Sequence, residues 1–141
     1  MPETSNRYVF DACALIAFLN DEEGADKTEE LFNQTSAGEV ELYAMSVNLY
    51  EVYYDSIRQT SPEKAEELLV DLYSLPIIVV ESVDRPLIRL AAHFKTTHRI
   101  SVADSFALAL ATQLGASLVS TDHHEFDNVE KSGEVKFLWL R

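Results

Sequence analysis

The stretch YVFDACALIAFL, residues 8–19, decides the fold because it joins a strand pattern to a helix pattern through a single acid, Asp11. Residues 8–10 form a short apolar run that predicts a buried strand, and residues 12–19 are apolar over a length that suits a helix. An acid that follows a buried strand lies where open α/β sheets bind ligands. This stretch therefore predicts both the first strand of such a sheet and a first candidate site residue.

The rest of the chain continues the alternation of strand and helix patterns. Further strands are predicted at residues 40–44, 77–80, 117–120 and 135–139. Further helices are predicted at residues 25–36, 46–59 with Ser46 as N-cap, 61–74, 84–97 and 101–114. The residues just after 120 are predicted to form a short acidic turn. Apolar strands separated by helices are typical of an α/β fold with a parallel sheet covered on both faces.

The composition predicts one acidic domain. With 141 residues, 47% of them hydrophobic, the chain is expected to form a single core over residues 1–141. Its 24 acidic and 11 basic residues give a net charge of −13, which argues against non-specific nucleic-acid binding and favours cations or a basic partner. Cys13 is the single cysteine and cannot form an internal disulfide.

The patterns that would target the chain to a membrane or out of the cell are not found. Residues 1–6 are polar and acidic, without the pattern of a signal peptide. No apolar run approaches the roughly 20 residues that span a bilayer. We therefore predict a cytoplasmic protein without membrane contact.

Four carboxylates stand where a parallel sheet would bring them together. Two of them follow predicted strands and two lie on helices with apolar faces. Two carboxylates about 5 Å apart repel by roughly 3 kcal/mol at an effective dielectric of about 20. A divalent cation with oxygen ligands relieves that repulsion, so the cluster predicts bound Mg²⁺ or Mn²⁺. The four acids are Asp11, Glu51, Asp104 and Asp122.

Each of these acids also has an interpretation that needs no site. Asp11 suits the N-cap of the helix that follows it. Asp104 forms a Ser-x-x-acid capping pattern with Ser101. Glu51 suits an exposed helix face, and Asp122 suits a surface loop. Both kinds of interpretation stay open at this point.

Four motifs carry the acids in order: VFDACALI at residues 9–16, MSVNLYE at 45–51, ISVADSFALA at 100–109 and LVSTD at 118–122. With them, the chain resembles the PIN-domain family, and within it the VapC-type toxins of toxin–antitoxin pairs. The resemblance implies a PIN-like three-layer α/β/α sandwich with a central, mainly parallel sheet. It also implies a Mg²⁺- or Mn²⁺-dependent endoribonuclease that hydrolyses phosphodiester bonds of RNA.

The resemblance also implies roles for individual residues. Ser120 stands at the family's small hydroxyl position and is expected to orient a carboxylate or a water. Many members carry a further acid at the place of His124, so Glu125, one residue later, is the candidate accessory acid. The catalytic residues are expected to be Asp11, Glu51, Asp104 and Asp122, of which the three aspartates hold the cation.

Partners follow from the resemblance and from the basic and aromatic residues. The expected partners are an RNA substrate, a small cognate antitoxin and a second copy of the chain in a homodimer. Tyr50, Tyr53 and Tyr54 are candidates for a protein interface, where aromatic residues are enriched. The basic side chains predicted to guide RNA are Lys95, His98 and Arg99.

Other functions remain open. A catalytically silent PIN-like protein-interaction module would share the fold. A receiver-type signalling domain would need an acid pair after the first strand, where Asp11 stands alone. Zinc binding lacks the usual His and Cys spacing, and no glycine-rich phosphate loop or nucleophile elbow occurs in the sequence.

Overall fold

The computed structural model describes residues 6–141 as alternating strands and helices. Residues 1–5, part of the predicted domain and of its polar amino-terminal stretch, lie outside the described residues. The strands of the described part are β1 (Arg7–Phe10), β2 (Glu41–Met45), β3 (Ile78–Val80), β4 (Ser117–Ser120) and β5 (Phe137–Trp139). Its helices are α1 (Ala12–Leu19), α2 (Ala25–Ser36), α3 (Ser46–Gln59), α4 (Pro62–Ser74), α5 (Arg85–Thr97), α6 (Val102–Leu114) and α7 (His123–Ser132). None of these helices is long and apolar enough to cross a membrane.

The sheet is parallel throughout, in the order β3-β2-β1-β4-β5. β1 lies at its centre, where Val9 pairs with Tyr43 of β2 on one side and with Leu118 of β4 on the other. The chain builds β2 and β3 to one side of β1 and then crosses to β4 and β5 on the other. The strand order therefore reverses between β1 and β4, which is where open α/β sheets bind ligands. Asp11 and Asp122 follow those two strands.

A hydrophobic cluster covers each face of the sheet. In β1, Val9 packs into the cluster formed with α5, α6 and α7, whereas Phe10 packs into the cluster formed with α1, α2, α3 and α4. In β4, Leu118 and Val119 divide between the two clusters in the same way. Because strand side chains alternate between faces, each cluster receives every second residue. The predicted α/β/α sandwich with a parallel sheet is confirmed.

The prediction of a short acidic turn after β4 was wrong, because these residues form the ten-residue helix α7. Its apolar signal is weak, since only Phe126 and Val129 are buried. Capping residues mark both ends of α7 more clearly than apolar residues mark its buried face. The Asp122 side chain accepts the N–H of Glu125 as N-cap, and Gly133 ends the helix in the left-handed conformation with φ 76°.

Smaller differences concern the ends of other elements. The N-cap of α3 is Met45, whereas Ser46, the predicted cap, is the first helical residue. The strands predicted at 40–44, 77–80 and 135–139 are β2, β3 and β5 with ends shifted by one or two residues. Differences of this size are usual at strand and helix ends.

Gly24 provides a test of the packing between the start of α2 and the carboxyl terminus. Its φ is 99°, and a Cβ added there would lie 2.5 Å from the backbone oxygen of Leu140. We expect Gly24→Ala to lower the free energy of unfolding by about 3 kcal/mol, because left-handed strain and steric overlap add.

Chemical denaturation measures this loss, and Gly38→Ala is the matched control. Gly38 has φ 76° but nothing within 4 Å of an added Cβ. Gly38→Ala should therefore lower the free energy of unfolding by only about 1 kcal/mol, through backbone strain. Equal losses in the two variants would show that the contact with Leu140 is unimportant.

Candidate active site

Asp11 lies at the carboxyl end of the central strand and is only 1% exposed. Its Oδ1 accepts the backbone N–H of Ala14 at 2.8 Å, which makes it the N-cap of α1. Its Oδ2 accepts a hydrogen bond from Ser120 Oγ at 2.5 Å. Asp11 therefore has the predicted capping role and also presents a fixed carboxylate at the switch point of the sheet.

Ser120 links Asp11 to the segment that carries Asp122. While its hydroxyl donates to Asp11, its Oγ accepts the backbone N–H of Asp122 at 3.0 Å. Asp122 Oδ1 in turn accepts the N–H of Glu125 at 3.1 Å, which begins α7. The contact expected of Ser120, a hydrogen bond that orients a carboxylate, is present.

Asn48 positions Glu51 and was not assigned a role from the sequence. It is 0% exposed, and its Nδ2 donates to Glu51 Oε1 and to the Ala103 carbonyl, both at 3.4 Å. Its Oδ1 has no hydrogen-bond partner among residues 6–141. The signal available in the sequence was a polar residue one helical turn before Glu51 on an inward-facing stripe. Asn48 thus joins α3 to the first turn of α6.

Asp104 stands in that first turn of α6, with its carboxylate partly buried. Its backbone N–H donates to Ser101 Oγ at 3.1 Å, so Ser101 is the N-cap and the predicted capping pattern is present. The cap accounts for the backbone N–H of Asp104, while the charges of Asp11 and Glu51 act on its carboxylate.

Burial and neighbouring charges raise the pKa values of Asp11, Glu51 and Asp104. Burial raises the pKa of Asp11 to about 7 against the hydrogen bonds from Ser120 and Ala14, and the charges of Asp122 and Glu51 add to the rise. Burial likewise raises the pKa of Asp104 to about 8, and the charges of Asp11 and Glu51 contribute. The pKa of Glu51 is raised mainly by burial. The four predicted acids therefore lie close enough for their charges to interact.

The model of the PIN domain family matches residues 8–132, most of the chain. The chain belongs to the PIN-domain family. No curated protein matches it by sequence. This PIN domain is similar in fold to DNA-bound VapBC from Salmonella typhimurium, with TM-score 0.72 and 15% identity over 96% of this chain and 98% of that chain. VapBC2 from Rickettsia felis, bound to a promoter DNA fragment, gives a TM-score of 0.71 and 14% identity over 94% of this chain and 98% of that chain. PAE2754 from Pyrobaculum aerophilum gives a TM-score of 0.61 and 19% identity over 97% of this chain and 92% of that chain.

The acidic side chains of this PIN domain have the donor atoms that a hard divalent cation prefers, but in the described part of the chain they lie too far apart to bind one ion together. The donor atoms at the switch point are carboxylate oxygens, which Mg²⁺ and Mn²⁺ prefer. Within residues 6–141, however, no three His, Cys, Asp or Glu side chains stand close enough as placed to hold one ion. Hydrogen bonds to Ser120 and Asn48 hold Asp11 and Glu51 in their present positions. Ligation therefore requires the carboxylates to move together, which their mutual repulsion opposes until a cation is present.

The three basic residues predicted to guide RNA lie in different surroundings of the PIN domain. Lys95 Nζ donates to the Ile100 carbonyl at 2.6 Å and so supports the turn before α6. His98 Nε2 lies 2.9 Å from Glu134 Oε1. Arg99 is exposed and lines a crevice together with His98. Their role toward RNA stays a prediction.

Glu125, the predicted accessory acid, lines the same crevice as Arg99. Its charge also contributes to the raised pKa values of Glu51 and Asp104. Glu125 therefore lies at the border between this crevice and the four acids. Its part in holding a cation stays a prediction.

The bond between Ser120 and Asp11 can be tested without reference to activity. The hydrogen bond from Ser120 lowers the pKa of Asp11 against the effect of burial. We therefore expect Ser120→Ala to raise the pKa of Asp11 further in metal-free protein, because the ionised form loses a donor. Carboxyl ¹³C chemical shifts measured against pH report this pKa directly.

Ser105→Ala is the control for the loss of a buried hydroxyl. Ser105 is 2% exposed, and its hydroxyl donates to the Val102 carbonyl within its own helix. Ser105→Ala should leave the pKa of Asp11 unchanged. An unchanged Asp11 pKa in Ser120→Ala would mean that the hydroxyl does not act on the carboxylate.

Proposed function

We propose that this protein is a Mg²⁺- or Mn²⁺-dependent endoribonuclease, the toxin of a toxin–antitoxin pair. The observation that carries the proposal is that Asp11, buried at the switch point of the sheet, and the partly buried Asp104 lie close enough for their charges to interact. Burial and the charge of Asp11 raise the pKa of Asp104, a costly arrangement that a bound cation would relieve. Membership of the PIN-domain family supports nuclease chemistry at this place.

In this proposal the side chains divide the work of holding and orienting. Asp11, Asp104 and Asp122 would hold the cation, and Glu51 would complete the set or position a water. When bound, the cation would supply an activated water and stabilise charge on the phosphoryl oxygens. Ser120 and Asn48 are positioning residues, because they act on Asp11 and Glu51 rather than on the substrate.

A cognate antitoxin is the proposed protein partner. Solved structures similar in fold include VapBC-1 from nontypeable Haemophilus influenzae and a toxin–antitoxin complex from Klebsiella pneumoniae. Tyr50, 63% exposed, packs edge-on against Tyr54, and both line a crevice that includes Glu51. A protein bound on these rings, either an antitoxin or a second copy of the chain, would cover the acids. Tyr53 differs, because its hydroxyl donates to Glu66 of α4 at 3.5 Å.

The second candidate function is an interaction module without turnover. The observation that favours it is the distance between the acids, since no three potential ligands among residues 6–141 converge as placed. A module of this kind would retain the fold and the exposed tyrosines but would not need a cation.

Incubation of total cellular RNA with the purified, antitoxin-free protein tests the proposal. We expect discrete fragments with Mn²⁺ or Mg²⁺ and none with EDTA. Circular dichroism on the same sample establishes that the protein is folded. A folded protein that cuts no RNA with either cation would reject the nuclease and favour the interaction module.

A further inference from the structure

A crevice of about 620 Å³ lies next to Asp122, whose Oδ1 accepts the backbone N–H of the lining residue Glu125. The turn between α5 and α6 forms one wall, and the first turns of α7 form the other. Every residue that lines it is polar, so it suits a polar or charged ligand rather than an apolar one. Its volume falls in the range of about 300–1,000 Å³ found for ligand sites. The lining residues are Thr97, His98, Arg99, His124, Glu125 and Asn128.

One wall of the crevice is held by bonds within the protein. Glu134 Oε1 contacts His98 Nε2 at 2.9 Å, and its Oε2 contacts His93 Nε2 at 2.5 Å. Ser132 donates to the same Glu134 carboxylate at 3.1 Å. His98 is therefore fixed to the turn after α7 and forms a wall of the crevice.

Three other side chains of the lining are free to bind. Within residues 6–141, the side chains of Arg99, His124 and Asn128 make no hydrogen bond or ion pair with the rest of the protein. A guanidinium offers five donors in a planar fork that matches a phosphate. An amide and an imidazole add both donors and acceptors. Together they match the phosphate, sugar and base of a nucleotide.

Charge distinguishes this crevice from the rest of the surface. The chain carries a net charge of −13, yet Arg99 opens into the crevice unpaired, and the one acid in the lining is Glu125. An anion gains most at such a place, because most of the remaining surface repels it. The composition argument against nucleic-acid binding therefore does not apply locally.

The crevice adjoins the four acids. Glu125 lines it, and the backbone N–H of Glu125 donates to Asp122 Oδ1 at 3.1 Å. Arg99 precedes Ser101, the N-cap of α6, and Asp104 follows in the first turn. A chain with one phosphate at the acids would therefore place a neighbouring nucleotide in the crevice.

We propose that this crevice binds a nucleotide of single-stranded RNA adjacent to the phosphate that is cleaved. Arg99 binds the nucleotide's phosphate, and Asn128 and His124 bind its sugar or base. The adjacency to a cleaved phosphate rests on the proposed nuclease function, whereas RNA binding in the crevice can be measured separately. It assigns a function to His124 and Asn128, and it limits the guiding role to Arg99 among the three predicted basic residues.

Binding of a short, fluorescein-labelled single-stranded RNA, followed by fluorescence anisotropy at several salt concentrations, tests this proposal. Ca²⁺ replaces Mn²⁺ to slow hydrolysis. We expect Arg99→Gln to raise Kd on the order of 10-fold, as for loss of a charge-assisted bidentate contact. The slope of log K against log salt should become shallower by about 0.7, the value for one phosphate contact on a single strand. Asn128→Ala should weaken binding without a change of slope.

Arg89→Gln is the matched control, because Arg89 is exposed on α5 and does not line the crevice. Arg99→Lys should restore the salt slope but only part of the affinity, since it keeps the charge and loses the fork. The proposal is overturned if Arg99→Gln binds like Arg89→Gln, or if the wild type binds no RNA.

The same samples in Mn²⁺ separate this inference from the nuclease itself. Cleavage by the wild type, with Kd and slope unchanged in Arg99→Gln, would retain the nuclease and reject the crevice. Arg99-dependent binding without cleavage under any cation would retain the crevice as an RNA site and reject the nuclease.

Discussion

Asp104→Asn is expected to reduce metal-dependent RNA cleavage by about 100-fold or more, because it removes one charge and one oxygen from the cation's proposed ligands. The fold should survive. The carboxylate is partly buried with its pKa raised to about 8, so a neutral amide relieves repulsion instead of breaking an ion pair. The backbone N–H that completes the Ser101 cap is unchanged by the substitution.

The measurement is the initial rate of cleavage at saturating Mn²⁺, with Asp26→Asn as control. Asp26 lies exposed in the first turn of α2, away from the acids. Its variant should retain the wild-type rate within about twofold, since a surface charge of this kind contributes little. More than a tenth of the wild-type rate in Asp104→Asn would remove Asp104 from the catalytic set.

Stability in EDTA is expected to fall as pH rises from about 4 to about 8. The folded pKa values of Asp11 and Asp104, about 7 and about 8, lie above the ordinary value of 3.8. The folded protein thus binds more protons than the unfolded chain in this window, and the free energy of unfolding decreases with pH. For Asp11 alone the decrease is on the order of 4 kcal/mol.

Thermal denaturation in EDTA at pH 5 and pH 8 measures this effect, and Mn²⁺ should restore much of the loss at pH 8. Neutralisation of the acids by a cation removes the penalty. A Tm that stays constant or rises with pH in EDTA would contradict the burial of these charges. Asp104→Asn should show a smaller decrease, since one of the two titrating groups is gone.

His123 changes protonation within the same window and needs its own control. Hydrogen bonds to the Arg141 carbonyl and to Asp127 raise its pKa, so the stability it contributes is also lost as pH rises. Because the side chain is largely exposed, that contribution is small. His123→Gln separates it from the effect of the acids.

Much of the fold was predictable from the sequence because its strands are apolar and its helices begin and end at recognisable capping residues. α1, α2 and β4 occur with the predicted ends, and Ser61 and Asp84, the first residues of two predicted helices, are the N-caps of α4 and α5. α7 was missed because two buried residues do not make a clear helical stripe. Asp122 and Gly133 marked its two ends, so capping residues were the better signal there.

The site was predictable in part for a similar reason. Acids that follow apolar runs mark the carboxyl edge of a parallel sheet, so Asp11 and Asp122 could be placed by topology alone. Asn48 could not, since its role depends on α6 lying across α3 with the Ala103 carbonyl within reach. The crevice at Arg99 is formed in part by α7, so a sequence pattern that indicated a turn there could not predict it.

The hydrogen bond between Ser120 and Asp11 joins residues 109 positions apart in the chain. During synthesis Asp11 therefore leaves the ribosome well before Ser120 of β4, its hydrogen-bond partner. Pairings of such long sequence separation form late in folding. A nascent chain therefore has no completed acid cluster until β4 has been synthesised and has paired with β1.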